Sequence, residues 1–235
     1  MRIECVWEHN GDSTLLYATE YPGASTRGRD LETAAQKMPD ELRTWCLWAG
    51  RAVSDTTEIR IVQEKESTLD IRDADSDVCF SSERLPLSRE EYEAWKALVL
   101  RSAADFHRLY ESIPDKGKTC LVPRRCFYGQ VPRTAEEMYC HTRSVNSYYF
   151  GEIDVPADNE GTILECRERG FRALERVPGF LNIPPCEGSY GEEWSLRKVL
   201  RRFLWHDRIH GRAMYRMAVR TFGKEQIPDV FGFEK

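Results

Sequence analysis

The segment WHDRIH, residues 205–210, puts His206 and His210 four residues apart in a run with the periodicity of a helix. That spacing sets both rings on one face, about one turn apart. The apolar stripe of the run steps through Leu196, Val199, Phe203, His206, His210, Ala213 and Met217, so both histidines stand where a packed helix keeps inward residues. A third, His141, falls on the corresponding stripe of an earlier run, with Met138, Val145 and Tyr148. Three inward imidazoles, two of them at i and i+4, form a donor set that converges on a divalent ion at about 2.0–2.1 Å. The competing reading of one inward histidine is a core ring bonded to a carbonyl. Three such rings out of five in the chain are harder to explain that way, because each buried ring needs its polar atoms satisfied.

Other groups near this set have weaker claims. His107 adjoins a helical stripe, as an extra ligand or a partly exposed ring, and His9 beside Asn10-Gly11 reads as surface. Cys140 lies about 100° around the helix from His141 and should not share an ion. Arg202, one turn before His206, and Tyr148, two turns after His141, are candidates for contacting a carboxylate or polar substrate. Surface arginine and bundle-packing tyrosine are the bland alternatives. Arg197, Lys198, Arg201 and Arg208 are expected to solvate the outer face or to pair with acids on neighbouring helices. Glu137, one turn before His141, is the only general base nominated for metal-activated water.

The elements that must position these groups are legible in outline. Alternating Ile3, Cys5 and Trp7, the Asn10-Gly11 turn signal, and Leu15, Tyr17 and Tyr21 predict a hairpin. Asp30 caps a helical pattern through Leu31, Ala34, Met38, Leu42 and Trp45 to Gly50, which Pro39 should kink or split. Strands are expected at 58–63 and 68–72, followed by an acidic, turn-rich linker. From Ser88 the periodicity is helical. Four helices follow, the first from Ser88 with Tyr92, Trp95, Val99, Ala103, Phe106 and Tyr110 inward, the second over TAEEMYCHTRSVNSYYFGEI, the third from Thr162 to Val177 and the fourth from Ser195 to Phe222. The expected fold is thus α+β with two domains: an α/β unit at 1–75, a linker at 76–87 and a four-helix bundle at 88–235.

A net charge of −5 argues against a nucleic-acid-binding surface. No run of about 18 apolar residues occurs, and MRIECVWEHNG lacks a signal-peptide core, so no membrane association and a cytoplasmic location are expected. Eight scattered cysteines with no Cys-x-x-Cys pair read as reduced thiols.

His141 in MYCHTRSV, with His206 and His210 in EEWSLRKVLRRFLWHDRIHGR, gives the second half a resemblance to the DinB superfamily in helix order, loop positions and ligand spacing. The resemblance implies a four-helix bundle whose metal is held by one histidine on the second helix and a His-x-x-x-His pair on the fourth. It also implies thiol transfer or isomerisation with a low-molecular-weight thiol such as bacillithiol, mycothiol or glutathione. The long loop at 114–132 and the arginine-rich LRKVLRRF depart from commoner members. The first half resembles the HicB-like fold in its hairpin and in YPGASTRGRDLETAAQKMPDEL, with Ala24 where a cysteine is frequent. That fold occurs in antitoxins, which usually continue into a DNA-binding segment; here a helical pattern follows.

The leading expectation is a metal-dependent enzyme in which His141, His206 and His210 hold zinc, or next nickel, and leave a position for a substrate thiol, whose pKa the ion lowers. The thiolate would then attack a small electrophilic substrate. Alternatives are an interaction protein with a structural metal, its first domain binding a protein partner, and a hydrolase using metal-activated water. A homo-oligomer is left open.

Overall fold

The computed structural model describes residues 2–53 and 58–234. Strand β1 (Arg2–Asn10) turns at Gly11, whose φ of 56° suits glycine, into antiparallel β2 (Ser13–Ala18). β2 stops at Ala18 instead of running to Tyr21, because the Ala24 amide closes a turn onto the Tyr21 carbonyl. The chain then returns as β3 (Ser25–Gly28), which is too short for its alternation to show in the sequence. Helix α1 (Leu31–Ala49) leads to β4 (Glu58–Glu66), parallel to β1, giving a mixed sheet of order β3-β2-β1-β4.

α1 begins where the Asp30 carboxylate accepts the Thr33 amide at 2.7 Å and ends at left-handed Gly50. It runs unbroken through Pro39, so the proline does not split it. Met38, Leu42, Trp45 and Trp48 anchor the helix on both sides of the proline, and their burial outweighs one lost backbone hydrogen bond.

Both faces of the sheet are covered. Ile3, Cys5, Leu16 and Ala18 pack against α1, whereas Val6, Leu15 and Tyr17 meet Ile71, Val78, Phe80 and Trp205. This second layer accounts for two departures from expectation. The strand expected at 68–72 is a turn followed by a 3-10 turn at Ile71–Asp73, with the Leu69 amide donating to Ser67 Oγ at 3.1 Å. The stretch 76–87, expected to be a linker, is packed in place, with Ser76, Val78, Phe80, Glu83 and Leu87 buried.

The helices that follow are α2 (Arg89–Ser112), α3 (Ala135–Gly151), α4 (Ile163–Leu174) and α5 (Leu196–Phe222). Ser88, Thr134 and Thr162 each form a capping box with a glutamate three residues on, which fixes where α2, α3 and α4 start. α2 and α3 each pack on both α4 and α5. Two minor antiparallel pairs, β5 (Arg125–Cys126) with β6 (Gly129–Gln130) and β7 (Cys186–Glu187) with β8 (Glu193–Trp194), stiffen the loops. Among the described residues the architecture is therefore α+β, with five α-helices and a four-stranded mixed sheet. No helix among the described residues is long and apolar enough to cross a membrane.

The cations in the first half of α5 do not solvate an outer face, whereas Arg216 and Arg220 further along are exposed. Lys198, Arg201, Arg202 and Arg208 are buried because the 76–87 strap and α1 lie over them. Lys198 Nζ donates to the Asp77 carbonyl at 2.8 Å and pairs with Glu192 at 3.2 Å. Arg201 pairs with Glu83 and donates to the Val78 carbonyl at 2.9 Å, and Arg208 pairs with Glu41 of α1 at 2.9 Å. Arg197 and Arg208 do keep the expected kind of partner, an acid on a neighbouring helix: Glu91 of α2 at 3.0 Å and Glu41 of α1.

Candidate metal centre

Pairing of the apolar faces of α3 and α5 brings three imidazoles together. Ring centroids lie 4.4 Å apart for His206 and His210, 4.6 Å for His141 and His210, and 5.2 Å for His141 and His206. One ligand nitrogen from each ring falls within 4.8 Å of the other two. Tetrahedral donors on zinc stand about 3.3 Å apart, so the rings need to close by at most about 1.5 Å to bind one ion. His206 is 7% exposed, and its Nδ1 is buried without a hydrogen-bond partner. An orphaned ring nitrogen beside two further imidazoles fits a cation and is costly otherwise. Among the described residues no fourth histidine, cysteine or acid joins the group.

The rings are held as neutral donors. Loss of water and the neighbouring His210 and His141 push the His206 pKa well below its ordinary value. Burial, followed by His141 and Arg27, takes His210 to about 3, and burial alone lowers His141. In the unfolded chain the same rings take up protons near pH 6.5. Between pH 6.5 and about 3 the unfolded state therefore binds more protons at His210, and the metal-free protein should lose stability progressively as pH falls through that window. Denaturant melts of metal-free wild type and His210→Leu across this range check the sign. The leucine variant should show the shallower loss, and parallel curves would contradict it.

The group opens onto a cleft of about 750 Å³, within the size range of small-molecule sites. One side is the bundle, with His141 and Tyr148 of α3 and Arg202, His206 and His210 of α5. The other side comes from Arg27 of β3, from Leu69, Ala74 and Asp75 of the turn after β4, and from Ser76 and Asp77 at the start of the strap. The loop between α2 and α3 completes the rim with Tyr128, stacked on His141 at 5.2 Å between ring centroids, and with the exposed Phe127. Tyr190, 90% exposed and held at a φ of 63°, adds a third rim aromatic.

The other candidates distribute unevenly. Arg202 lines the cleft, with Nη1 donating to the Ser76 carbonyl at 2.8 Å and Nε buried without a partner. Tyr148 also lines it, packed edge-on against Trp194. Glu137 does not; its carboxylate accepts the Arg133 and Thr134 amides at the start of α3, which lower its pKa. It has no place as a general base at the histidines. His107 is bonded to the Tyr139 hydroxyl at 2.9 Å, outside the three-histidine group. Cys140 is exposed and directed to Glu136, and all eight cysteines are free. His9 is stacked on Trp7 and bonded to Glu64 at 3.1 Å.

Sequence reasoning missed Arg27 and the strap as cleft residues. The turn-rich composition of 73–86 and the arginine-containing loop at 114–132 mark chain that covers something, without saying what. Comparison with family models, with curated proteins and with solved structures gives no match for this chain, so its residues and geometry carry the functional argument.

Proposed function

We propose that the chain is a metal-dependent enzyme of the DinB type that joins a low-molecular-weight thiol to an electrophilic substrate, with zinc as the first choice of ion and nickel as the second. The carrying observation is a three-imidazole group that faces a cleft of about 750 Å³ and is joined by no fourth histidine, cysteine or acid among the described residues. Catalytic sites keep such an open position, whereas structural sites close it. On this reading the bundle at 88–235 is DinB-like and the sheet module HicB-like, and the protein works in the cytoplasm, where thiol cosubstrates are kept reduced.

A divalent ion bound by the three rings would supply the charge that favours thiolate over thiol at neutral pH. The chain's own residues do the rest. Burial keeps His141, His206 and His210 unprotonated and available as donors. The Ser76 carbonyl holds the Arg202 guanidinium at the cleft wall, where it can meet a carboxylate on either reactant, and Tyr148 offers a hydroxyl to a polar group. Phe127, Tyr128 and Tyr190 give the entrance an aromatic rim that sheds water as a substrate enters. In the reaction the thiol S–H bond breaks and its proton passes to solvent, a new S–C bond forms, and the leaving group departs with its electron pair. Glu137, the base nominated for the hydrolytic alternative, is committed to capping α3.

Mixing the zinc-loaded protein with a panel of cellular thiols and a chromogenic electrophile at pH 7 tests the reading. At least one thiol should react roughly 100-fold faster with wild type than with folded His210→Ala. Equal rates across the panel would favour an interaction protein with a structural metal.

A further inference from the structure

β3 alternates as a strand must. Thr26 turns inward, its hydroxyl donating to the Ala34 carbonyl at 2.8 Å, so Arg27 projects from the opposite face. Its register partner Leu15 belongs to the layer that packs on Trp205 of α5, and Arg27 therefore reaches the cleft at the edge of that layer.

The charges lining the cleft are mostly spoken for. Arg124 pairs with Asp73 at 2.7 Å, Asp77 pairs with Lys65, and Glu192 with Lys198. Arg202 is partly held by the Ser76 carbonyl, and Asp75 has no ion pair but stands in the field of Arg202. Arg27 is an exposed residue whose guanidinium is partly desolvated in the cleft and lies in the field of Asp73, but among the described residues it makes neither a hydrogen bond nor an ion pair; only its backbone carbonyl is engaged, by Lys37. Its charge acts on His210, the member of the histidine group toward the C-terminal end of α5. Between these cations the wall is apolar, with Leu69, Met138, Trp205 and Ile209.

We infer that Arg27 is the residue through which the sheet module selects the ligand of the histidine cleft, and that this ligand carries a carboxylate close to its metal-binding group, on an apolar body. The inference rests on the metal-site reading but adds a recognition role for the sheet that the histidines do not require. A guanidinium–carboxylate contact in a partly desolvated cleft is worth a factor of about ten or more in affinity.

The experiment uses the full chain loaded with cobalt, whose visible spectrum reports thiol ligation, and two probes differing only in charge, 3-mercaptopropionate and 3-mercaptopropanol. The acid should bind at least about tenfold more tightly to wild type. Arg27→Gln should bring the two probes to within about twofold of each other, and Arg27→Lys should retain part of the preference. Cobalt content and melting temperature should be unchanged in both variants, since the residue is exposed. Equal binding of acid and alcohol by wild type, or an unchanged ratio in Arg27→Gln, would overturn the assignment while leaving the metal site standing. If neither thiol alters the cobalt spectrum, the thiol reading fails instead, and calorimetry with phenylacetate against phenylacetamide on the same proteins decides Arg27 by the same ratio.

Discussion

His206→Ala should abolish metal retention, lowering affinity by at least about 100-fold, while the chain stays folded. His206 is the most enclosed of the three rings and the one with an orphaned buried nitrogen, so it has most to gain from an ion and fewest alternative partners. Two imidazoles alone, His141 and His210, form a weak chelate that gel filtration should strip. His107→Ala is the matched control, since that ring is bonded to Tyr139 instead. Elemental analysis after purification without nickel resin checks both. Undiminished metal in the His206 variant would remove the three-histidine site.

The second large effect is on stability. Glu41→Ala should destabilise the protein by about 3–5 kcal/mol, because it leaves a buried guanidinium without its counter-ion. Glu41 of α1 is itself buried and is shared by Arg208 and Arg212 of α5. Arg208 is 2% exposed, and its Nε and Nη1 already lack partners, so no neighbour stands ready to replace the carboxylate. For a chain of this size the loss corresponds to a fall in melting temperature of roughly 10 °C or more. The double variant Glu41→Leu, Arg208→Met should recover much of that loss, since a paired apolar replacement avoids the stranded charge. A Glu41→Ala melt within about 2 °C of wild type would contradict the account of how the sheet module is fixed to the bundle.

Local signals identified the helices and their starts. The capping residues Asp30, Ser88 and Ser195 accept the expected amide, and Thr134 and Thr162, where the next helical patterns start, prove to be caps as well, because a cap is decided within four residues. The histidine group was visible for the same reason: i and i+4 on one stripe is a local relation, and only the approach of α3 needed the fold. What stayed hidden is non-local. A helix carrying Lys198, Arg201, Arg202 and Arg208 looks half solvated until the acids that meet it, Glu83 from the strap and Glu41 from α1, are known to be there. The strap escaped because its apolar residues, Val78 and Phe80, are embedded in acidic, turn-rich sequence that reads as exposed. Arg27 escaped because a four-residue strand gives no alternation to count, and its value lies in a cleft that only the packed sheet creates.

The central claim is that three neutral imidazoles hold an ion and leave a position open to the cleft. X-ray absorption at the zinc edge of the loaded wild-type protein tests it most directly. Three imidazole nitrogens at about 2.0–2.1 Å should appear without sulfur, and a sulfur scatterer at about 2.3 Å should be gained when a small thiol is added. Sulfur or a fourth imidazole in the first shell before any thiol is added, or a zinc environment unchanged by saturating thiol, would contradict it.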